Sequence, residues 1–173
     1  VYHYENHFPI ESTYVEWKHG PYAQKGIMCQ DCHMVDVETF KRSADTFQNP
    51  KREEYHHYFN GANYLVYFLA KGAAEKAGDK ELAANLTQKY EMAVARLKSA
   101  ADLEIFPIYR NSILSEVKVR VKNTRAGHNL PTSLTNVRQM WLEVVARDDK
   151  GSVVISSGQL DEHGNLIPET RIF

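Results

Sequence analysis

The stretch Cys29-Gln30-Asp31-Cys32-His33 is the strongest signal in this 173-residue sequence. Two thiols three positions apart can form thioether bonds to the two vinyl groups of one haem, and the histidine that follows can ligate its iron. The motif therefore predicts a covalently attached c-type haem. Cys29 and Cys32 are the expected attachment points, and His33 is the expected proximal ligand.

A Cys-x-x-Cys pair has other uses. A thioredoxin-like redox pair would need a βαβ context, and a four-ligand zinc site would usually bring a second pair of cysteines. This chain has only two cysteines, and both lie in the motif. A buried structural pair is the remaining alternative. The histidine directly after the second thiol favours haem attachment over all three.

The composition is that of an ordinary globular protein of one or two small domains, 43% apolar and 25% charged. A net charge of −1 offers no basic field for nucleic acid or an anionic membrane. No apolar run approaches the roughly 20 residues that cross a bilayer, and the N-terminus is not a signal peptide. Because covalent haem attachment takes place outside the cytoplasm, we expect a periplasmic or extracellular protein, either with its leader removed or as one piece of a longer exported chain.

The pattern along the chain predicts an α+β fold. Residues 1–28 mix Pro and Gly with aromatic residues, which indicates an irregular segment that wraps the haem, with one helical turn near residues 13–18. Residues 36–54 lack periodicity and are expected to form a loop. The N-terminal aromatic residues are Tyr2, Tyr4, Phe8, Tyr14, Trp17 and Tyr22.

Apolar residues recur at helical spacing from Gly61, and Gly78 is a plausible stop. Asp79 can cap a second helix that continues to Ala101, so a helical hairpin is expected to end before Pro107.

The period changes after residue 113. Residues 117–121 and 140–147 alternate in polarity as strands do, and a turn at 148–151 leads to a third strand at 152–156. We interpret residues 1–112 as a haem-binding segment with a helical hairpin and 113–173 as an antiparallel β-sandwich-like module. Three strands cannot form two packed sheets, so the module is expected to be incomplete or to be completed by a neighbour.

The distal iron ligand can be chosen partly by elimination. Met28 and Met34 are too close in sequence to His33 to reach the opposite face of the same iron. Met92 lies within a helical pattern, and Met140 lies on the apolar face of a strand. A second histidine is therefore the favoured ligand, and it would give a lower potential than methionine.

Three histidine contexts compete for this position. His128 lies in the loop 126–132 between two strands, the pair His56-His57 precedes the helix, and His19 precedes the haem motif. His128 is preferred because Gly and Pro make its loop rigid. His163 is expected to be a turn residue.

Several segments resemble those of the multihaem c-type cytochromes of bacterial and archaeal respiration. Residues 17–23, Trp-Lys-His-Gly-Pro-Tyr-Ala, precede the haem motif as a Trp-x-x-Ser-Pro-His-Ala segment does in that family. His57-Tyr58-Phe59-Asn60-Gly61-Ala62-Asn63 is similar to its His-x-Phe-x-Gly-Gly-Asn segment. Ala126-Gly127-His128-Asn129-Leu130-Pro131-Thr132 resembles its Gly-His-x-Leu-Pro-Thr-Gly loop. The resemblance spans about residues 16–161 and implies that His57 and His128 are both haem ligands.

The chain departs from that family at three points. Tyr22 stands where the family often has histidine, Ser133 replaces the final glycine of the loop, and there is one haem motif instead of several. One bis-histidine haem needs only one of His57 and His128 besides its proximal ligand. The surplus histidine is expected to ligate a haem of another chain or of a missing part of this one.

The expected function is electron transfer by a low-potential bis-histidine haem. The chain would be a subunit or fragment of a larger multihaem respiratory or extracellular assembly, such as a filament, with other haem proteins or copies of itself as partners. Two imidazole ligands leave no open iron position, so an electron carrier is expected rather than an enzyme. The alternative is an oxidoreductase that acts on nitrogen or sulfur oxyanions at an open iron position. A haem sensor or structural adaptor is a minor option.

Overall fold

The computed structural model describes residues 5, 7, 9–48 and 55–167. Two compact units divide the chain: residues 13–130 form one, and residues up to 12 join those from 131 onward in the other. Helices and antiparallel strands together establish the α+β class. None of the helices in the described part of the chain combines the length and apolar character that crossing a bilayer requires.

The α-helices of the described chain all precede the first strand and lie in the unit 13–130. They are α1 (Thr13–His19), α2 (Pro21–Gln24), α3 (Cys29–His33), α4 (Val37–Thr46), α5 (Tyr64–Lys76) and α6 (Lys80–Ser99). Helix α1 confirms the turn of helix predicted near residues 13–18.

The described aromatic side chains of the N-terminal segment contact other parts of the protein. Trp17 packs against the core and donates from Nε1 to the carbonyl of Ile27 at 2.9 Å. Tyr22 is buried, and Tyr14 is exposed with its ring centroid 5.6 Å from that of Trp17. Haem wrapping by this segment stays a prediction. Three further aromatic residues of this predicted wrapping segment lie outside the described part of the chain: Tyr2, Tyr4 and Phe8.

Helix α4 shows that the loop predicted over residues 36–54 is wrong in its first part. Asp36 caps the helix, because its carboxylate accepts a 2.7 Å hydrogen bond from the amide of Thr39. The buried face of α4 combines small polar and apolar residues, so hydrophobic periodicity alone does not reveal it. These buried residues are Thr39, Phe40, Ser43 and Ala44. Residues 49–54 of the predicted loop lie outside the described chain.

The core of this unit lies beside the Cys-x-x-Cys-His helix α3. Cys32 packs against its buried side chains, so the haem motif is anchored directly to the core. Those side chains are Tyr22, Ile27, Val35, Phe40 and Ala44.

A fully buried carboxylate fixes the start of α3. Asp31 accepts hydrogen bonds from the amide of Met28 at 2.7 Å and from the hydroxyl of Tyr55 at 2.5 Å. A buried charge of this kind is stable only when such donors satisfy it. The position and tilt of the motif helix are therefore set by a contact with a residue well outside the motif.

Helices α5 and α6 form the helical hairpin that the sequence predicts. Gly78 adopts a left-handed φ of 75° after α5 ends, and Asp79 caps α6 by accepting a 3.0 Å hydrogen bond from the amide of Leu82. Helix α6 ends at Ser99, and the chain then enters a strand. The helical region therefore does not extend to Pro107 as expected.

Strands β1 (Ala101–Arg110) and β2 (Ile113–Asn123) pair antiparallel, with Leu103 opposite Val121 and Pro107 opposite Val117. Proline is tolerated because β1 pairs only with β2 in the described chain, so the missing N–H can face an unpaired edge. A two-residue turn with positive φ at both positions joins the strands, as tight hairpins require. The predicted domain boundary between residues 112 and 113 falls at the end of this turn.

A second two-stranded sheet lies in the other unit. Strands β3 (Val144–Arg147) and β4 (Val153–Ser157) are antiparallel and joined by the predicted turn, where Asp148 donates from its amide to the carbonyl of Ser152 at 2.9 Å. A short 3₁₀ helix covers Thr135–Val137. Both sheets of the described residues thus have two strands, and their assembly into a sandwich stays a prediction.

Candidate functional site

Helix α3 carries the three residues of the predicted attachment motif. Cys29 and Cys32 lie one turn apart, a spacing that places both side chains on the same side of a helix. Both are free thiols; Cys29 is exposed and Cys32 is partly buried. His33 is the last residue of the helix. The arrangement suits two covalent bonds to one flat group beside the helix.

The environment of Cys32 raises the pKa of its thiol. Burial, reinforced by the neighbouring Asp31 carboxylate, raises the pKa of Cys32 to about 12, although the positive charge of Arg96 opposes this rise. Reactive thiols in Cys-x-x-Cys redox motifs have lowered pKa values, because the thiolate is the reactive species. Cys32 therefore stays protonated at neutral pH and would not be the attacking thiol of such a pair.

His33 presents a neutral imidazole with one nitrogen left for ligation. Its Nδ1 lies 2.8 Å from the backbone carbonyl of Asn60, and since a carbonyl only accepts, Nδ1 carries the proton. Burial lowers the pKa of His33; the hydrogen bond to Asn60 opposes this, and the charges of His128 and Arg96 add to the lowering. The neutral ring keeps its lone pair on Nε2, as a metal-ligating histidine does.

The ring of His128 is likewise hydrogen-bonded through Nδ1 to a backbone carbonyl. Its Nδ1 lies 2.9 Å from the carbonyl of Asn129, which again leaves Nε2 as the free nitrogen. The ring centroids of His33 and His128 are 6.3 Å apart, and the ring planes differ by 13°. A transition metal lies about 2 Å from a ligating imidazole nitrogen, so two imidazoles on opposite sides of one metal have centroids about 6 Å apart. The observed spacing fits a bis-histidine centre.

The loop that carries His128 is fixed from two directions. Asn123, at the end of β2, donates from its side chain to the carbonyl of His128 at 2.7 Å and accepts from the amide of Ala126 at 3.1 Å. The carboxylate of Glu16 on α1 accepts from the amide of Asn129 at 2.9 Å. The loop is therefore held in place by groups on α1 and β2, in agreement with the rigidity expected from its Gly and Pro residues.

Gly127 packs closely against two aromatic side chains in this loop. A Cβ at this position would lie 3.3 Å from Cδ2 of Tyr22 and 3.6 Å from Cδ1 of Trp17. The two aromatic residues of the N-terminal segment thus support the His128 loop from beneath.

A small cleft of about 90 Å³ lies between these elements, below the roughly 300–1,000 Å³ that is usual for small-molecule and cofactor sites. Both histidines and Cys32 line it. Apolar contributions come from Leu97 and Leu130. An apolar cleft with two convergent imidazoles is what a haem requires on its two faces.

Two arginines add positive charge to the wall of the cleft. Arg125 is paired with Asp45, its Nε lying 2.6 Å from the carboxylate, and this hydrogen bond is the main cause that raises the pKa of Arg125. Arg96 is 5% exposed and bonds to neutral oxygens only. Groups of this charge can compensate the carboxylates of a haem.

The donor set of this site consists of two imidazoles and two thiols. In the residues that the structure describes, no group of three or more His, Cys, Asp or Glu side chains is placed to hold a metal ion. The site offers two facing imidazoles, and haem brings the four remaining iron ligands in its own ring. The residues present therefore fit this group, with Cys29 and Cys32 for attachment and His33 and His128 for the iron.

The other candidate histidines lie elsewhere on the surface. His57 is exposed, and its ring centroid is 5.9 Å from that of Phe59, itself 63% exposed. His19 ends α1 and is exposed. His163 lies in a turn, as expected, with its amide bonded to Asp161 at 2.9 Å. None of the three lines the cleft that holds His33 and His128.

Two residues at the site were missed by the sequence reasoning. Asn60 is fully buried, and its carbonyl holds the ring of His33. In the sequence it stands within the segment 57–63, where only His57 was predicted to be a ligand. Arg96 is a charged residue at helical spacing from the buried Met92 on the inner face of α6. A charge within an otherwise apolar helical stripe is the signal that would have identified it.

Comparison with protein-family models, curated proteins and solved structures finds no match to this chain.

Proposed function

We propose that this protein transfers electrons through one covalently bound c-type haem. Cys29 and Cys32 attach the haem, and His33 and His128 ligate its iron from opposite faces. The facing imidazoles, each with Nδ1 on a backbone carbonyl and Nε2 free, carry this proposal. The bound group supplies reversible one-electron chemistry, while the protein fixes the ligands and limits access of water.

The ligand pair also favours a carrier over a catalyst. Two strong nitrogen ligands leave no iron position for an oxyanion, and a nitrogen or sulfur oxyanion reductase needs such a position. Backbone carbonyl acceptors at both Nδ1 atoms strengthen the imidazoles as donors. The expected reduction potential is low, and because covalent attachment occurs after export, the expected location is periplasmic or extracellular.

His57, which the proposed haem does not need as a ligand, supports the proposal that this protein belongs to a larger redox assembly. His57 is exposed beside exposed Phe59, directly before α5. The first two turns of α5 are apolar on several sides and strongly exposed, which is unusual for a helix that stays in water. We propose that this surface meets a neighbouring haem protein or a second copy and that His57 ligates the neighbour's haem. The exposed apolar residues of α5 are Tyr64, Leu65, Val66, Phe68 and Leu69.

A haem count combined with spectroscopy tests the proposal. The expected result is one covalently bound haem per chain by pyridine haemochrome assay, with a low-spin bis-histidine EPR signal that cyanide and nitrite do not change. A Cys29→Ser, Cys32→Ser double variant should lose the covalent haem and keep the folded core. A high-spin signal that responds to small anions would contradict electron transfer and favour the oxyanion reductase.

A further inference from the structure

Arg96 is a buried cation whose hydrogen-bond partners are neutral. Its guanidinium donates from Nε to the carbonyl of Cys32 at 3.1 Å, from Nη1 to Oδ1 of Asn60 at 3.0 Å, and from Nη2 to the carbonyl of Val35. The Phe40 ring lies beneath it, 5.6 Å from Cζ. Burial lowers the pKa of Arg96 although the nearby Asp36 carboxylate favours the charged form, so retention of this buried charge calls for a physical reason.

The contacts of Arg96 lead directly to the ring of His33. Asn60, which accepts from Arg96 through its side chain, accepts from Nδ1 of His33 through its backbone carbonyl at 2.8 Å and donates from its amide to the carbonyl of His33 at 3.0 Å. Its side-chain amide also donates to the carbonyl of Lys89 at 2.8 Å. Arg96 is thus separated from the imidazole by a single, fully buried residue.

We propose that Arg96 is a positioning residue that orients His33 through Asn60 and raises the reduction potential of the haem by its buried positive charge. This inference rests on the proposed haem site. Oxidation leaves the haem with one more positive charge, and a nearby cation in a medium of low dielectric constant destabilises that state. The effect opposes the lowering that two imidazole ligands produce.

Three variants of the haem-loaded protein separate charge from packing. Arg96→Gln removes the charge but keeps hydrogen-bonding groups, and Arg96→Lys keeps the charge but loses the planar fork. Asn60→Asp keeps the shape and places a negative charge against Arg96. The control Arg120→Gln removes an exposed guanidinium that pairs with Glu104 on the β1–β2 hairpin.

A spectroelectrochemical titration measures the expected shift. Arg96→Gln and Asn60→Asp should lower the midpoint potential so that, at the wild-type midpoint, the reduced-to-oxidised ratio falls about tenfold, equivalent to about 59 mV for one electron. Arg96→Lys should restore most of that ratio while its EPR g-values shift, because the orientation of His33 is less well fixed. Arg120→Gln should match the wild type.

The outcomes also separate this inference from the proposed function. A low-spin haem with the same potential in the wild type, Arg96→Gln and Asn60→Asp overturns the role of Arg96 and leaves electron transfer intact. If Arg96→Gln does not fold, two variants still decide the result. Arg96→Lys keeps the buried charge, and Asn60→Asp keeps an acceptor for Arg96 although it loses the donor to the carbonyl of Lys89. A wild-type protein without covalent haem overturns the proposed function and this inference with it.

Discussion

The imidazole rings of His33 and His128 face each other at a centroid distance of 6.3 Å, although one ends a short helix and the other lies in a loop after a long hairpin. His57 has no such relation to the cleft; it is exposed beside Phe59. The two histidines that the sequence left in competition are therefore in different environments, and substitution can separate their roles.

Replacement of His128 and of His57 by methionine should have different effects on the reduction potential of the isolated protein. His128→Met exchanges an imidazole ligand for a thioether, which should raise the reduction potential by roughly 100 mV or more, within the ~0.8 V range that axial ligands set. His57→Met should leave the potential of the monomer unchanged. Redox titration with EPR makes the measurement. A shift in His57→Met and none in His128→Met would reverse the ligand assignment.

Gly127→Ala should destabilise the protein and weaken distal ligation. The added methyl would lie 3.3 Å from Cδ2 of Tyr22, so the His128 loop or the buried Tyr22 ring must shift by a few tenths of an ångström. Overpacking of this kind costs about 1–3 kcal/mol of unfolding free energy. Guanidinium unfolding and the fraction of low-spin haem report the two effects.

Gly72→Ala is the matched control for that experiment. It lies within α5, and a Cβ there meets nothing within 4 Å. Alanine in an open helical position should raise the unfolding free energy by roughly 0.5–1 kcal/mol. A loss of stability in both variants would mean that the effect of Gly127→Ala is not specific to the loop.

The two thiols should differ in reactivity in the haem-free protein. Cys29 is exposed, whereas Cys32 is partly buried and burial raises its pKa to about 12. Maleimide at pH 8 should therefore modify Cys29 at least tenfold faster, since the thiolate is the reactive form. Mass spectrometry after proteolysis identifies the modified residue, and unfolding in urea should remove the difference. Equal rates in the folded protein would contradict the described environment of Cys32, and reaction of either thiol after haem loading would contradict thioether attachment.

Protonation of His33 should make the haem-free protein less stable in mild acid. Burial lowers the pKa of His33 in the fold, while the unfolded chain has the ordinary value of about 6.5. Its stabilising contribution is therefore complete above about pH 6.5 and is lost as the pH falls from there through the folded-state pKa, because the unfolded state binds the proton first. Urea unfolding between pH 5 and 8 should show this slope.

Two variants identify the source of that slope. His33→Gln keeps a donor for the carbonyl of Asn60 but cannot titrate, so its unfolding free energy should depend less on pH. His163→Gln changes an exposed histidine and should retain the wild-type slope. An identical slope in His33→Gln would exclude this histidine as its origin.

Local chemistry explains what could be predicted from the sequence. The spacing of Cys29, Cys32 and His33 predicts the attachment site, because the reactive groups are neighbours in the chain. Asp79 and Gly78 mark the junction of α5 and α6 through capping and a left-handed turn, and the alternating valines predict β2. In each case the pattern reports a requirement of the nearby backbone.

The features that the sequence did not predict depend on contacts between segments that are distant in the chain. Helix α4 was missed because its buried face mixes polar and apolar residues, and Asn60 and Arg96 gain their roles only when α6 packs against the end of α3.

The sequence by itself determined that a Cys-x-x-Cys-His motif is present, which predicts a haem site, and that several histidines could supply a second ligand. Only the tertiary structure placed His128, and not His57, beside His33. Glu16, Asn123 and the packing of Gly127 hold the His128 loop so that its imidazole lies beside that of His33. The physical reason is that two ligands of one metal must converge within a few ångströms, and no local pattern encodes the distance between residues so far apart in the chain.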